Sequence, residues 1–290
     1  MLSVKTVKRS SLNLALVLVC LASTGCIRQE QPSRYETHFV TVNGVQLHYV
    51  DWGGKGEALV FLTELGGTAD GFDPIAKAFT ARLHVLGLTR RGQGESDKPS
   101  SGYDVDTLVE DIRAFLDELQ IKRVNLVGYS IAGNEETRFA GLYPERVAKL
   151  VYLDAAYDHA SNQELLDRVR SQFSLPPLKL DDPFLKLIDN GATKFHPDYA
   201  KVQAPALSFH VIYDTDPAFP AWDEATRKKL QAYWKAYGNT FSRGQMDRFR
   251  REVRRGKVVE LHGTSHTDFL GDPKQQRVVI REMRKFLAVE

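Results

Sequence analysis

From about residue 58 the chain alternates short apolar runs with longer amphipathic stretches, and few folds accept that rhythm. Runs near 58–63, 83–88, 123–128, 149–154, 206–213 and 257–262 have strand length, while stretches near 71–81, 104–119, 131–142, 223–237 and 273–288 predict helices. Short runs that are apolar throughout must be covered on both faces, and βαβ crossovers do this. The pattern therefore predicts an α/β class with a mostly parallel central sheet and helices on both faces. The start differs: Phe39-Val40-Thr41-Val42 and Val45-Gln46-Leu47-His48-Tyr49-Val50 flank Asn43-Gly44, a pair that accepts the positive φ angles of a tight primed turn. An antiparallel N-terminal hairpin is expected there. Residues 156–204 exceed what a crossover requires and carry helical patches around Pro176-Pro177, Asp181-Asp182-Pro183 and His196-Pro197. They are read as a short cap insertion over the carboxyl ends of the strands, where the substrate pocket of such a sheet forms. Cap residues such as Phe173, Leu175, Phe184, Leu187 and Phe195 are expected mainly to pack it on the body.

The first 25 residues do not fit this body. Lys5, Lys8 and Arg9 precede the apolar run from Leu14 to Ala22, too short to span a bilayer but right for the h-region of a signal peptide. Ser23-Thr24-Gly25-Cys26 resembles a bacterial lipobox, whose cysteine is lipidated. The expectation is a signal peptide over 1–25, a lipidated Cys26, a tether over 26–36 with Pro32 and Ser33, and a folded domain over 37–290. This implies a bacterial envelope protein held to the membrane by its N-terminal cysteine and facing the periplasm; the alternatives are a secreted or periplasmic protein cut nearby and an uncleaved anchor helix, against which the charged flank and the short apolar run argue. Cys20 and Cys26 are the two cysteines of the sequence, so the body has no disulfide, zinc–thiolate site or cysteine nucleophile. Removing 1–25 takes three of the 39 basic residues and none of the 37 acidic ones, and the near-neutral remainder gives no electrostatic reason for a nucleic-acid partner. The basic cluster Arg248, Arg250, Arg251, Arg254, Arg255 is interleaved with Asp247 and Glu252 and reads as a solvated helix face. No protein partner can be inferred.

One turn carries chemistry. Gly128-Tyr129-Ser130-Ile131-Ala132-Gly133 joins the run Val124–Val127 to a helical stretch. A serine in so tight a turn needs small neighbours, and Gly128, Ala132 and Gly133 supply them. Ser130 is the candidate nucleophile, and the N–H of Ile131 would lie at a helix N-terminus, where a developing oxyanion is favoured. A serine nucleophile needs a base, and the base needs a carboxylate to fix its tautomer. His266, in a loop after the run Val258–Leu261, is the first choice; His262, at the strand end, is its rival. His48 and His84 fall within strands and read as structural, while His159 and His196 fall in the cap. For the acid, the strand from Pro205 to Tyr213 ends in Asp214-Thr215-Asp216-Pro217. Asp214 is favoured by spacing, Asp216 is the alternative, and Asp154 at the end of the preceding run is a third choice with a supporting role.

The order Ser130, Asp214 or Asp216, His266 resembles that of the α/β-hydrolase family. Further segments resemble the same family in the same order: Leu62-Thr63-Glu64-Leu65-Gly66-Gly67-Thr68 its oxyanion loop, Arg90-Arg91-Gly92-Gln93-Gly94-Glu95-Ser96-Asp97-Lys98-Pro99 its R-G-x-G-x-S turn, and Tyr143-Pro144-Glu145-Arg146-Val147 the segment after the nucleophile helix. The resemblance covers the chain from about Thr37 to the end and implies an α/β-hydrolase fold, with the N–H groups of Leu65 and Ile131 as the oxyanion hole. Two departures stand out. Thr63-Glu64 replaces the usual His-Gly, which brings a carboxylate beside a site that must stabilise negative charge, and Ala132 replaces a commoner glycine. A serine rather than a carboxylate at the elbow favours acyl transfer over epoxide or halide chemistry. The expected function is a serine hydrolase of the carboxylesterase type, cleaving a small-molecule ester or amide through an acyl-enzyme. It requires no cofactor and no metal, and the first βα turn lacks a glycine-rich phosphate loop. The alternatives are a non-catalytic binding or scaffold protein on this fold and a non-hydrolytic enzyme of the same architecture.

Overall fold

A computed structural model of the chain describes residues 35–173, 180–212, 223–233 and 238–289. The expected signal peptide, Cys26, Asp214 and Asp216 lie outside the described residues, as does all of the expected tether but its last two positions. Within them the sheet has the order β1-β2-β4-β3-β5-β6-β7-β8: β1 is Glu36–Val42, β2 Val45–Gly53, β3 Ala58–Leu62, β4 His84–Leu88, β5 Val124–Tyr129, β6 Val147–Leu153, β7 Ala206–Ile212 and β8 Gly256–His262. β1 pairs antiparallel with β2 and β2 with β4, while the remaining pairs are parallel. The expected hairpin turn is present, with Asn43 at φ 50° and Gly44 at φ 75°.

Every residue of β3, β5 and β7 is buried, as interior parallel strands require, whereas β1 and β8 at the edges are partly exposed. Alternate side chains sort into two cores. Val60, Leu62, Leu86, Leu126, Leu150 and Tyr152 pack with the helices α2 (Val105–Glu118), α3 (Ala132–Leu142) and α7 (Asn239–Glu252). Leu59, Phe61, Val85, Val127, Leu207 and Phe209 pack with the segment 69–79 and with α8 (Pro273–Leu287). Two of these covering helices, α2 and α8, begin on an aspartate cap: Asp104 accepts from the Thr107 N–H and Asp272 from the Lys274 N–H.

The helix expected over 71–81 is instead a chain of short turns, 3-10 over Ala69–Phe72, α1 over Asp73–Ala76 and 3-10 over Lys77–Phe79. Pro74 restarts the helix there because it has no N–H to donate backward. Between β6 and β7 lie α4 (His159–Phe173) and α5 (Pro183–Ala192). Ile188 and Ala192 of α5 form a small apolar cluster with Tyr103 and Ile131, against which Leu65 and Phe184 pack. This cluster sets α5 over the carboxyl edge of β3 and β5. Helix α6 (Glu224–Tyr233) follows β7.

Candidate active site

Ser130 follows β5 at φ 56°, in the left-handed region where a non-glycine residue is strained. Close approach of the backbone explains its small neighbours. A Cβ on Gly133 would collide with the Ala155 carbonyl and one on Gly128 with the Glu136 carboxyl group. The strain is held by hydrogen bonds: the Ser130 N–H donates to the Leu153 carbonyl at 3.2 Å, and the Gly133 N–H donates back to the Ser130 carbonyl at 3.0 Å. Beneath the turn, the fully buried Glu136 accepts from the Gly128 N–H at 3.1 Å. Burial pushes its carboxyl well above the usual range, and the Gly128 N–H only partly offsets this.

His266 Nε2 lies 2.9 Å from Ser130 Oγ, and His266 Nδ1 lies 2.6 Å from Asp154 Oδ2. The carboxylate on the imidazole is thus Asp154, the third choice from sequence; Asp214 and Asp216, preferred there, fall in 213–222. Asp154 follows β6, the strand next to β5, and it too has a left-handed backbone, at φ 45°. The two bent strand ends bring serine and aspartate to the same edge. Asp154 Oδ1 accepts from the Val211 N–H at 2.9 Å and from the Tyr157 hydroxyl. Burial alone would raise its pKa, but the hydrogen bond and charge of His266, with those two donors, outweigh burial and hold the carboxyl below its usual range. It remains ionised, as a partner for an imidazolium must.

The His266 loop is fixed from both sides. The Tyr129 hydroxyl donates to the His266 carbonyl at 2.5 Å, its ring lies 5.4 Å from the imidazole, and Gln275 Nε2 donates to the His262 carbonyl at 2.8 Å. The rival His262 stands 3.7 Å from Glu260 with its side chain about half exposed, and the partner of Ser130 is His266. His48 and His84 are bound within the sheet, to Thr89 and Asp51 respectively.

The loop at Thr63–Gly67 spends two of its N–H groups on its own shape. Gly66 donates to Gln93 Oε1 at 3.0 Å and Gly67 to the Glu64 carbonyl at 3.2 Å, while Leu65 and Ile131 donate to no acceptor among the described residues. What holds the loop was not legible from sequence. Arg90 donates to the carbonyls of Thr63 (2.9 Å) and Glu64 (3.4 Å), and Gln93 Nε2 to those of Glu64 (3.1 Å) and Gly67 (2.7 Å). Arg90 in turn is paired in the interior with Glu135, on the first turn of α3. One buried ion pair therefore ties the Leu65 loop to α3, the helix that follows Ser130. The available signal was charge inside motifs that otherwise read as buried. Ser96 of the same turn is structural, accepting from the His48 N–H and donating to the Thr89 carbonyl.

Glu64 folds back over Gly67, so that a Cβ there would strike its carboxyl group. Burial raises its pKa, while its own backbone N–H, Arg90 and His266 pull it down and Asp70 pushes it up. The carboxyl is therefore within electrostatic reach of the His266 imidazole. Among the described residues no group of histidines and carboxylates is placed to hold a metal ion.

Residues 57–192 match the family model of the alpha/beta hydrolase fold. A stretch of 118 residues, 40% of this chain, is 36% identical to a non-heme chloroperoxidase of Streptomyces lividans and covers 43% of that protein; the chain thus spans under half of that relative's length. Similar solved structures include a bacterial membrane phospholipase A, with TM-score 0.60 and 21% identity over 88% of this chain and 86% of that one. An enol-lactonase from Burkholderia xenovorans LB400 aligns with TM-score 0.59 and 19% identity over 87% of this chain and all of its own (100%). At such identities the structural likeness is one of fold, and the fold is that of the α/β hydrolases.

Proposed function

We propose that this α/β-hydrolase-fold chain is a serine hydrolase that cleaves a carboxylic ester, or an amide, through an acyl-enzyme on Ser130. The observation that carries the reading is the relay of Ser130 Oγ to His266 Nε2 at 2.9 Å and His266 Nδ1 to Asp154 at 2.6 Å. In the first step Ser130 Oγ attacks the scissile carbonyl carbon while its proton passes to His266 Nε2. The carbonyl electron pair moves onto oxygen, which receives the N–H groups of Leu65 and Ile131. Collapse breaks the bond to the leaving group, which takes the proton from His266. Water then repeats the sequence on the acyl-enzyme: His266 takes its proton, the acid is released, and Ser130 recovers its hydrogen. Asp154 stays ionised throughout and offsets the imidazolium charge. Each oxyanion donor contributes about 2.7–4 kcal/mol of transition-state stabilisation on the usual scale.

A fluorophosphonate probe, which phosphonylates activated serines, is expected to label the native protein at Ser130, as mapped on the modified peptide. A p-nitrophenyl ester series of increasing acyl length then reads the pocket. Native protein that takes up no label and turns over no ester would leave the second reading, a non-catalytic scaffold.

Glu64 is the observation that favours the second reading, since an ionised carboxylate beside Leu65 opposes the oxyanion. Its raised pKa keeps it protonated further up the pH scale than an ordinary glutamate. The sign follows: Glu64→Gln changes little where Glu64 is already neutral and helps where it is ionised. The ratio of kcat in Glu64→Gln to kcat in wild type should rise with pH, to about 3- to 10-fold on the alkaline side for one charge several ångströms from the oxyanion. A ratio independent of pH would show that the carboxyl does not feel the developing charge.

We further place the protein at a bacterial envelope through a lipidated Cys26, following the lipobox-like sequence before it. No helix among the described residues is long and apolar enough to cross a membrane. Cys26→Ser should move the protein from the membrane fraction to the soluble one; unchanged partitioning would count against the anchor.

A further inference from the structure

Asp158 fixes the start of α4 from several directions. Its backbone N–H donates to Gln245 Oε1 at 3.2 Å, its Oδ1 accepts from the Ser161 N–H at 3.1 Å, and its Oδ2 faces His196 Nδ1 at 3.0 Å and Arg248 Nη1 at 3.4 Å. The residue it positions is His159. That ring stands edge-on to Tyr157, with centroids 6.4 Å apart and planes at 84°, and Tyr157 is the residue whose hydroxyl rests on Asp154. The ring borders the Ser130 backbone and is close enough to His266 to feel its charge. A second imidazole thus lies against the backbone of Ser130, and the reaction as derived does not use it. Its Nε2 is buried and has no hydrogen-bond partner among the described residues.

A buried polar atom without a partner is uncommon, because losing its water is uncompensated. We propose that His159 Nε2 is a substrate-recognition group, and that its ligand is a hydroxyl carried by the ester close to the scissile bond. The proposal deepens the serine-hydrolase reading and rests on it. The charge state narrows the ligand: burial first and then the neighbouring His266 lower the His159 pKa to about 4, although the Ser130 backbone, Asp158 and Asp154 oppose this. The ring is uncharged at neutral pH. An uncharged imidazole nitrogen is either a donor or an acceptor, according to tautomer, and a hydroxyl is both, so it satisfies either state. An anionic substituent fits poorly, since it would need His159 protonated and would face the nearby carboxylates of Asp158 and Asp154. The hydroxyl can come from the acyl part, as in a hydroxyacyl ester, or from the alcohol part, as in a monoester of a diol.

The test compares matched pairs. p-Nitrophenyl 3-hydroxybutyrate against p-nitrophenyl butyrate reads the acyl side, and 2-hydroxyethyl butyrate against propyl butyrate, followed by acid release, reads the alcohol side. Wild type should prefer the hydroxylated member of one pair by about 10-fold or more in kcat/KM, as for a hydrogen bond to a buried polar group. His159→Phe, which keeps a planar ring without polar atoms, should bring that ratio near one, and His159→Gln should restore part of it. Equal rates within both pairs for wild type, or a preference that survives in His159→Phe, would overturn the proposal. The wild-type comparison stands whether or not the Phe variant folds. Plain-ester turnover that depends on Ser130 without any hydroxyl preference removes this inference alone, whereas absence of Ser130-dependent turnover removes the hydrolase reading and this one with it.

Discussion

Ser130→Ala is expected to reduce ester turnover by about 10⁵-fold or more, to what the oxyanion hole and binding alone provide. The expectation follows from the place of Oγ: it is the atom 2.9 Å from His266 Nε2 and the one that would form the acyl bond in the proposed mechanism. Alanine keeps the Cβ and is no worse suited to φ 56° than serine, so the folded structure should survive. Unchanged thermal unfolding beside lost turnover and lost fluorophosphonate labelling separates chemistry from folding. A Ser130→Ala protein that retained a tenth of wild-type kcat would end the acyl-enzyme mechanism proposed here.

The second large effect concerns the acid. Asp154→Asn should lower kcat by about 10⁴-fold at neutral pH, whereas Asp214→Asn and Asp216→Asn should each lower it by less than about tenfold. The amide of asparagine is nearly the shape of the carboxylate and can still accept from Val211 and Tyr157. It cannot offset an imidazolium. If its NH₂ faces His266 Nδ1, the ring must hold its proton on Nε2, where it would face Ser130 Oγ and could not take the serine proton. Parallel kcat measurements on the three variants decide the assignment; collapse in Asp214→Asn or Asp216→Asn with activity retained in Asp154→Asn would move the acid to the segment after β7.

Much of this arrangement could be read from the chain because it depends on local pattern. The strands at 58–62, 84–88 and 124–129 lie where short apolar runs are bounded by turn residues, and Asn43-Gly44 announced its hairpin. The elbow was legible for the same reason: a tight turn leaves a local record of small residues. The Asp154 contact leaves a fainter one. Leu153-Asp154-Ala155-Ala156 is similar to the elbow in placing a polar residue at a strand end with small residues close behind it. Its meaning depends on β6 lying beside β5, and a single sequence does not state strand neighbours. The loop clamp is harder still, because Arg90, Gln93, Glu135 and Thr63 meet across 26 to 45 residues of chain. Periodicity also overran Pro74, since a window that counts apolar positions passes over the single missing N–H that ends a helix.

Ser130 and Asp154 are also points at which this protein gives up stability. Each holds a left-handed backbone at the end of a neighbouring strand, φ 56° and φ 45°, and that conformation costs about 1–2 kcal/mol for a residue with a Cβ. Glycine would relieve it at either place. Selection for thermal tolerance alone would thus drift both positions toward glycine and dismantle the site, so a stabilised descendant of this chain must find its gains elsewhere, on helix faces and loops remote from the carboxyl edge of the sheet.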